Sequence, residues 1–524
     1  MNLNEFFALL ADEKFEPQET ERSELVEFAN TIFAARTSVV HNDCQWLIAQ
    51  LKPIARLSSQ FKSAIVNHLL FRYTGDLVYL VGAIKASLLD GAGIEGRVAN
   101  MNALADGMFN AAHGSEIVCA EFSRARFRAY YENTVKLIEN LLGGQKVVVK
   151  QIFEPNSRVV ILTQQFLEPF HAPTKDALEF AWFLSQSYAK EVMIVSSCEY
   201  SAYPSGSVLP LALSRVLQDY AYKETVSYKG KEFQYFQPET GRFSVETIPQ
   251  TVKAIEAFDP AMILVVGGRN LLAEVFLERA FVLFYPTTSN LPMLSKPNFF
   301  MWREPTVAEY ELLESEGLRA NYLFHQHPGF EVPTQKISLS RKDFCIPEDA
   351  FVFAVVGMRL DADIKPEFLD MLEGVVQDPR AFVVFAGHFA SYHQVLASRE
   401  SLAGRCEFLG FQDDIMAVYS LCNCYLNPKR VGGGSAIVYA LAAGLPSLSC
   451  PIGDGYEAVR NLPLLPDYEA MAKTCKKLMN DPGAVWRYRA LARQEAARLC
   501  SRAPLVERIQ ASYRIFLERT VHGG

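Results

Sequence analysis

Short runs rich in β-branched and aromatic residues alternate with helical segments along most of the chain, and this alternation limits the fold more than any other feature. A first group of runs reads VVILTQQ, EVMIVSS, AMILVVGG and AFVLFYPTT, and a second group reads AFVFAVVG, AFVVFAGH, CEFLGF, CYLNP and PSLSC. Strands that alternate with helices form mainly parallel sheets. The polar stretch EVPTQKISLSRKDFCIPEDA separates the groups. The sequence therefore predicts two consecutive α/β domains with a linker near residues 331–349.

Residues before about 150 follow a different, helical pattern. In FRAYYENTVKLIENLLGG, apolar side chains recur at helical spacing, for example at Tyr130, Tyr131 and Ile138, and Gly143 follows as a helix stop. A chain of 524 residues is long enough for more than one core. We predict an all-helical domain over residues 1–150, a Rossmann-like domain over 151–333, and a second Rossmann-like domain over 334–524 that ends in closing helices.

Charge and hydropathy exclude several classes of protein. The formal net charge is -8, whereas a general nucleic-acid binder needs a basic surface. No apolar stretch approaches the roughly 20 residues that span a bilayer, and the N-terminal sequence carries acidic residues where a secretory signal carries Lys or Arg. We expect a cytoplasmic protein without a transmembrane segment and without a nucleic-acid partner.

Three consecutive glycines mark a candidate anion site. In NPKRVGGGSAIVYALAAGLP, a strand end is followed by a loop with Lys429 and Gly432, Gly433 and Gly434, and then by an apolar helix that starts near Ser435. The N-terminus of a helix presents unpaired N–H groups, and glycine lets a phosphate approach the backbone closely. The alternative is a tight turn in a packed sheet, and the stretch is neither a P-loop nor a G-x-G-x-x-G motif.

Two further cations lie on the same side of the predicted sheet. In VVGMRLDADIK, Arg359 and Lys365 follow the first strand of the second α/β domain, which ends near Gly357. Ligands of open α/β sheets bind beyond the carboxyl ends of the strands. These cations and the glycine loop therefore predict a clamp for a diphosphate.

These motifs together resemble the GT-B glycosyltransferases. Such families carry a strand that ends at a Gly and Arg, a Lys six residues after the Arg, a glycine-rich turn, and a helix with A-x-x-x-G-x-P, which reads ALAAGLP here. The resemblance covers about residues 155–515. It implies two Rossmann-like domains facing a cleft, and transfer of a sugar from a nucleotide-diphosphate sugar, with a UDP-sugar favoured. The nucleotide sugar is a substrate, so the resemblance implies no cofactor and no metal.

Two GT-B branches compete at the glycine loop. The large retaining branch has two glutamates eight positions apart, and these positions are Val431 and Tyr439 here. The inverting branch, which includes the O-GlcNAc transferases and the bacterial cytoplasmic protein N-glucosyltransferases, places Asp at the second position to hold the donor ribose. The Tyr439 phenol either donates to a ribose hydroxyl or packs. The stereochemical outcome stays open.

A histidine-containing loop in the first α/β domain favours the second branch. Residues His171, Pro173 and Thr174 stand before a helix and resemble the H-P-T of the O-GlcNAc transferase-type branch. At that place a neutral His171 would orient an acceptor or accept a proton. The alternative is a loop histidine bonded to local backbone.

The remaining candidate residues lie after other strands of the second α/β domain. The pair Phe411 and Gln412 matches the segment that reads the nucleotide base in this fold. His388 would touch the donor, and Asp454 would touch a sugar hydroxyl. The D-x-D sequence at residues 361–363 is the metal motif of a different glycosyltransferase fold, and its position fits GT-B without metal better.

The predicted acceptor is a protein or a glycan, recognised through the N-terminal helical domain, with a lipid-linked precursor as a variant of the latter. A partner subunit or a homo-oligomer fits the same sequence. Two other functions stay open. One is a non-catalytic nucleotide-sugar-binding subunit that has lost its acids, and the other is a sugar-nucleotide epimerase, for which we see no carboxylate set.

Overall fold

The computed structural model of the protein describes residues 1–522 apart from 13, 16–18, 35–40, 55–59, 75, 88–92, 111–123, 144–157, 170, 202–216, 268, 278–279, 290–298 and 317–322. The domain boundary predicted at residue 150 lies outside the described residues. The chain divides into two compact units. The first comprises Met1–Thr287, Leu291–His325 and Ile509–Gly524, and the second comprises Thr288–Asn290 and Gln326–Arg508.

The N-terminal part of the first unit is helical, as predicted. Its helices are α1 Leu3–Ala11, α2 Glu19–Ala34, α3 His41–Ile54, α4 Gln60–Thr74, α5 Leu77–Ser87, α6 Ile94–Asn110 and α7 Arg124–Leu141. Helix α7 buries Tyr130, Tyr131 and Ile138, which follow the spacing read from the sequence, whereas Leu141 at its end is exposed.

The first unit contains an eight-stranded sheet. Its elements are β1 Arg158–Thr163, α8 Ala172–Ser187, β2 Glu191–Ser196, β3 Thr225–Tyr228, β4 Lys231–Phe236, α9 Thr247–Phe258, β5 Met262–Val266, α10 Leu271–Val275, β6 Phe281–Tyr285, β7 Phe299–Met301, α11 Val307–Ser315 and β8 Leu323–His325. The strand order is β3-β4-β2-β1-β5-β6-β7-β8. All pairs are parallel except β3 with β4. The order reverses at β1 and β5, where open α/β sheets bind their ligands.

The helices and this sheet share one hydrophobic core. A single cluster of buried side chains runs from Phe6 in α1 through Ile138 in α7 to Val160, Phe284 and Leu313. Because a continuous core couples the elements around it, the helical region and the first sheet stabilise each other.

The end of the chain returns to the first unit. The last described helix is α20, Ala503–His522, whose residues after 508 belong to this unit. The ring of Phe281 in β6 lies 5.4 Å from that of Tyr513 and 4.9 Å from that of Phe516. These contacts bury part of the sheet's outer surface.

The second unit contains a five-stranded parallel sheet. Its elements are β9 Phe351–Gly357, α12 Leu360–Asp363, α13 Pro366–Val376, β10 Ala381–Gly387, α14 Tyr392–Ala397, β11 Cys406–Phe408, α15 Ile415–Ser420, β12 Cys424–Asn427, α16 Gly434–Ala442, β13 Ser447–Ser449, α17 Gly453–Val459, α18 Tyr468–Asn480, α19 Pro482–Leu499 and the first residues of α20. The strand order is β11-β10-β9-β12-β13, and it reverses between β9 and β12. The α/β class with two mainly parallel, Rossmann-like sheets after a helical region is thus confirmed.

Several elements were not predicted from the sequence. The hairpin of β3 and β4 and the three-residue strands β7 and β8 extend the first sheet. The predicted linker contains a short 3-10 helix at Arg341–Phe344, and Asp414 accepts hydrogen bonds from the backbone of Lys336 and Ile337, which fixes the linker to the second unit. In the part of the chain that the structure describes, no helix combines the length and the apolar character needed to cross a bilayer.

Candidate functional site

The candidate site in the second unit lies at the carboxyl ends of its central strands. β9, β10 and β12 end at Gly357, Gly387 and Asn427, and the order of the sheet reverses between β9 and β12. This is the position at which open α/β sheets bind ligands. Most of the residues predicted from the sequence lie in the loops that follow these strand ends.

The loop after β9 carries the two predicted cations. Arg359 precedes α12, and its guanidinium lies 3.6 Å from the carboxylate of Asp363. Lys365 is exposed and occupies the N-cap position of α13. Both cations thus lie on the side of the sheet where the sequence predicted them.

The ends of β9 and β10 approach each other very closely. The backbone N–H of His388 donates to the carbonyl oxygen of Gly357 at 3.0 Å. Gly387 has a φ of +117°, and a Cβ there would lie 1.9 Å from the same oxygen, so only glycine fits. The exposed His388 ring stacks on Phe411, with 5.6 Å between centroids and 15° between planes. Gln412, beside it, donates through its side-chain amide to the backbone carbonyl of Leu409.

The glycine loop follows β12. Lys429 donates its backbone N–H to the hydroxyl of Tyr468, and its ammonium lies 4.8 Å from the centre of that ring. Gly433 caps α16, which starts at Gly434 and continues through Ser435. The first N–H groups of a helix have no carbonyl partner within it. The strand, loop and helix predicted here are therefore present, and Tyr439 lies further along the same helix.

A buried arginine lies beneath this loop. Arg430 is 4% exposed, and its guanidinium pairs with Asp363 at 3.0 Å. It also donates to the side chain of Asn427, the hydroxyl of Tyr425 and the carbonyl oxygen of Val356, each at 2.9 Å. The guanidinium therefore connects the loop after β12 to the end of β9 and to α12.

Two glycines make room for this guanidinium. A Cβ on Gly433 would lie 2.5 Å from Nε of Arg430, and a Cβ on Gly357 would lie 2.5 Å from its Nη1. Gly433 also has a φ of +99°. The closest approach to these glycines is thus made by a side chain of the protein itself. Sequence reasoning missed this buried role of Arg430, because its partner Asp363 is distant in sequence.

Arg430 joins five of the predicted residues into one connected group. Gly357 and Gly433 contact the guanidinium, and Arg359 reaches it through Asp363. His388 and Phe411 connect through the backbone bond to Gly357.

The carboxylates of the D-x-D sequence have partners within the protein. Asp361 accepts hydrogen bonds from the backbone of Ala390 and Ser391 at 2.8 and 2.7 Å. Asp363 pairs with Arg430 as described above. Among the described residues, no three His, Cys, Asp or Glu side chains are grouped so that they would hold a metal ion.

Asp454 lies behind the glycine loop in the first turn of α17. Its side chain is 5% exposed, and Oδ1 accepts hydrogen bonds from the backbone N–H and the hydroxyl of Ser289, at 2.7 and 2.8 Å. Its own N–H donates to the carbonyl oxygen of Val431. Burial, with the nearby charge of Glu457 as a smaller cause, raises the pKa of Asp454 to about 7. This carboxylate therefore fixes the short segment 288–290 to the loop of the second unit.

His171 lies in the first unit, in the loop between β1 and α8. It is the N-cap residue of α8, and Pro173 lies in the first turn. Its backbone N–H donates to Glu168, and its ring Nδ1 lies 3.0 Å from the hydroxyl of Thr174. The ring is partly exposed at the carboxyl edge of the first sheet, beside the position where the strand order reverses.

A buried polar network at the same edge was not predicted. Glu199, after β2, accepts hydrogen bonds from Gln164 and from the backbone of Leu271, and burial raises its pKa. Asn102 of α6 donates to the carbonyl oxygen of Glu199, and Tyr131 of α7 donates to Glu274. The helical region thus contributes side chains to the edge of the sheet.

Comparison with protein families connects the second unit to sugar transfer. A family model described as glycosyl transferases group 1 matches residues 353–481, which include β9, the glycine loop and α17. A comparison with curated proteins found no match.

Three solved structures with a similar course of the chain share little sequence with this protein. The O-GlcNAc transferase of Thermobaculum terrenum, solved as a mutant, is 13% identical, with 100% of each chain covered and a TM-score of 0.49. HepE of Anabaena, solved in complex with UDP, is 14% identical over 68% of this chain and 99% of its own, with a TM-score of 0.47. WaaG, a glycosyltransferase involved in lipopolysaccharide biosynthesis, is 14% identical over 70% of this chain and 100% of its own, with a TM-score of 0.45.

These identities and TM-scores say nothing about donor or acceptor, so the family match over residues 353–481 is the finding that bears on activity. It coincides with the segment whose motifs carry the sequence resemblance. The second α/β domain of this chain is thus similar to the group 1 glycosyl transferases.

Proposed function

We propose that this protein transfers a sugar from a nucleotide-diphosphate donor, with a UDP-sugar favoured, to a protein or glycan acceptor in the cytoplasm. The observation that carries the proposal is the glycine loop that opens α16 at the point where the order of the second sheet reverses, within a segment that matches glycosyl transferases. Arg359 and Lys365 supply positive charge on the same edge.

The chemistry requires stabilisation of the leaving diphosphate. As the bond between the sugar and the diphosphate breaks, negative charge accumulates on the phosphate oxygens. The N–H groups of Gly434 and Ser435 and the positive end of α16 stabilise such charge without reorganisation. In this role the side chains of Arg359 and Lys365 act as the catalytic cations. The site is therefore suited to nucleotide diphosphates rather than to a neutral ligand.

The stacked pair of His388 and Phe411 supplies a platform for the donor. An aromatic surface attracts the flat face of a base, and Phe411 keeps 40% of its surface exposed. Gln412 and Lys429 lie beside this platform and the glycine loop, and Tyr439 follows on α16. Gln412, Lys429 and Tyr439 are kept as donor-binding residues. Asp454 instead holds the glycine loop in place, because its backbone N–H donates to the carbonyl oxygen of Val431.

Transfer in this proposal needs no metal ion. The two carboxylates of the D-x-D sequence are held by backbone amides and by Arg430, so they have structural roles. Cationic side chains and helix N–H groups then provide the charge that a divalent ion provides in other folds. Turnover measured with and without a chelator tests this point, and loss of activity on chelation contradicts it.

A thermal shift experiment tests donor binding first. A ligand present at 100 times its dissociation constant stabilises the native state by about 2.7 kcal/mol. We expect one of UDP, GDP, dTDP or CMP, or its sugar conjugate, to raise the melting temperature selectively, and we expect Arg359→Ala to lose that shift. Arg380→Ala is the matched control, because Arg380 is exposed and lies before β10, at the opposite end of the strand. A nucleotide shift that survives in Arg359→Ala would contradict the clamp.

Turnover tests the catalytic part of the proposal. Purified protein, the selected donor and a cell extract as acceptor source should release nucleotide diphosphate and label a protein or a glycan. Full transfer by the double variant Arg359→Ala, Lys365→Ala would refute the mechanism.

A non-catalytic donor-binding subunit is the second candidate. It is favoured by Val431 and Tyr439, which stand where the two branches of the fold carry acids. A selective thermal shift without turnover, restored only when a partner subunit is added, would support this candidate over the first.

A further inference from the structure

The loop after β5 places an arginine at the point where the order of the first sheet reverses. The neighbouring strands β1 and β5 run parallel, with Thr163 opposite Val266 at their carboxyl ends, and Arg269 follows shortly after. Its side chain is partly exposed. Ligands of open α/β sheets bind at such reversals. The proposed stabilisation of the leaving diphosphate gives this cation no role.

A buried asparagine of the helical region holds this guanidinium. Asn102 of α6 is 1% exposed, and its Oδ1 accepts from Nη2 of Arg269 at 2.7 Å. Its Nδ2 donates to the carbonyl oxygen of Glu199 at 2.6 Å, so both ends of the amide are used and its orientation is fixed. The carbonyl oxygen of Met101 accepts a second bond from the same Nη2 at 3.4 Å. Because the guanidinium is held in advance, a ligand that binds it loses less free energy to the ordering of this side chain.

Arg269 keeps hydrogen-bond donors that the protein does not use. Its bonds to Asn102 and Met101 both come from Nη2, and among the described residues no group accepts from its Nε or Nη1. Burial raises the pKa of nearby Glu199, and the charge of Arg269 acts against this rise. The oxygens of Glu199 accept from other groups, which are Gln164, Ser197 and the backbone of Leu271. Because burial favours the protonated form of Glu199, this neighbour neutralises only part of the guanidinium charge.

Two further polar atoms at this edge have no hydrogen-bond partner in the part of the chain that the structure describes. They are Oε1 of Gln165, in the loop after β1, and Oγ of Ser201, in the loop after β2, and both are buried. A buried polar atom without a partner costs about 1–3 kcal/mol. A ligand with a hydroxyl or amide proton would satisfy Oε1 of Gln165. The loops after β1, β2 and β5 therefore offer a ligand one cation and two polar atoms at the same edge of the sheet.

We infer that Arg269 determines acceptor specificity by binding a carboxylate or phosphate group of the acceptor, while Gln165 accepts from a hydroxyl or amide of the same molecule. This inference rests on the proposed function only for the identification of the ligand as the acceptor. A guanidinium binds either kind of oxyanion through charge-assisted hydrogen bonds. Asn102 is a positioning residue, because it acts through Arg269. The helical region therefore influences the choice of acceptor through this one side chain.

Nuclear magnetic resonance tests this binding without a donor or turnover. In full-length protein labelled with ¹⁵N-arginine, the side-chain ¹H–¹⁵Nε signal that is lost in Arg269→Lys belongs to Arg269. We expect this signal to shift in a saturable way with inorganic phosphate or with acetate, at an ionic strength kept constant with sodium chloride. The anion that binds more tightly identifies the acceptor group as phosphate or carboxylate. No saturable shift with either anion would overturn the inference.

Two variants connect the binding to the contacts at this edge. Asn102→Ala should weaken the binding of the anion several-fold, because the guanidinium loses its fixed position, and unchanged binding would overturn the positioning role. Arg158→Gln is the matched control, because Arg158 lies at the start of β1, at the opposite end of the strand, and pairs with Glu191. A signal of Arg269 that no longer responds to the anion in this control would also count against a local site.

Turnover provides a second test. With the selected donor and a cell extract as acceptor source, Arg269→Gln should lower the labelling of the acceptor about 10- to 100-fold, as when a hydrogen bond to a charged group is lost, and Arg269→Lys should lower it less. The thermal shift caused by the donor should stay unchanged in both variants. Full labelling by Arg269→Gln, or loss of the donor shift together with the labelling, would overturn the inference. Because the anion titration needs neither donor nor turnover, failure of the proposed function would leave its result intact.

Discussion

Replacing Arg430 with methionine removes the group around which the carboxyl edge of the second sheet is organised. The guanidinium lies 2.9–3.0 Å from four acceptors, which are the side chains of Asn427, Asp363 and Tyr425 and the carbonyl oxygen of Val356. Methionine fills a similar volume but donates no hydrogen bond, so each of these acceptors loses a donor. The native arrangement of the glycine loop then loses its main internal connection.

The largest part of the cost comes from the carboxylate of Asp363, whose side chain is 8% exposed. Removing one partner of a buried ion pair costs about 3–5 kcal/mol, because the remaining charge stays desolvated. Arg359 lies 3.6 Å from the same carboxylate and offsets part of this loss. We therefore expect the free energy of unfolding of the second unit to fall by about 3 kcal/mol, which lowers its melting temperature by roughly 6–12 °C.

Differential scanning calorimetry measures this shift. Arg380→Met is the matched control, because Arg380 is an exposed arginine paired with Asp378 and should melt close to the wild type. The double variant Arg430→Met, Asp363→Leu removes both charges and should recover part of the loss. Arg430→Met that melts with the Arg380→Met control would refute a structural role for the buried guanidinium.

The remaining predictions concern three other positions. Gly433→Ala should lower the melting temperature and weaken nucleotide binding, because the new Cβ would lie 2.5 Å from Arg430. Gly404→Ala is the control, because Gly404 has a φ of +70° but open space around it. Equal falls in melting temperature for the two variants would argue against the close contact. Burial raises the pKa of Asp454 from 3.8 to about 7. The contribution of Asp454 to stability is therefore complete below pH 3.8 and declines by roughly 4 kcal/mol as the pH rises to 7. The difference in unfolding free energy between the wild type and Asp454→Asn should follow that decline, and a difference that does not change with pH would contradict the burial effect. Hydrogen bonds from Arg303 lower the pKa of Glu309 from 4.5 to about 2. The free energy of unfolding in urea should therefore be higher for the wild type than for Glu309→Gln above pH 4.5, and this difference should shrink as the pH falls towards 2. A difference that is independent of pH would argue against this ion pair.

The five strands of the second sheet and four strands of the first, β1, β2, β5 and β6, were predictable because each lies in a short apolar run bounded by polar or glycine-rich segments. β3 and β4 were not, because their burial alternates and TVSY and KEFQYF carry as many polar as apolar residues. Strands β7 and β8, of three residues each, were not predicted either. The pattern therefore predicted every strand of the second sheet but only the four central strands of the first, whose additional edge strands depended on tertiary pairing.

The position of the candidate site could be predicted from the strand ends, because the loops that follow neighbouring parallel strands lie at the same edge of the sheet. The role of Arg430 did not follow, because a sequence shows a charge beside glycines without showing its burial. Its partner Asp363 lies 67 residues away and was considered only as part of a metal motif. The contact between the ring of His171 and the hydroxyl of Thr174 was likewise seen only in the coordinates.

The return of the last residues to the first unit bears on how the protein is synthesised. Phe281 leaves the ribosome about 230 residues before Tyr513, which it contacts. At about 5–20 residues per second this interval lasts roughly 10–50 s, and the second unit is made within it. The first unit is therefore completed only after the second has been made, and a nascent chain exposes part of the first unit's apolar surface until Tyr513 and Phe516 have been made.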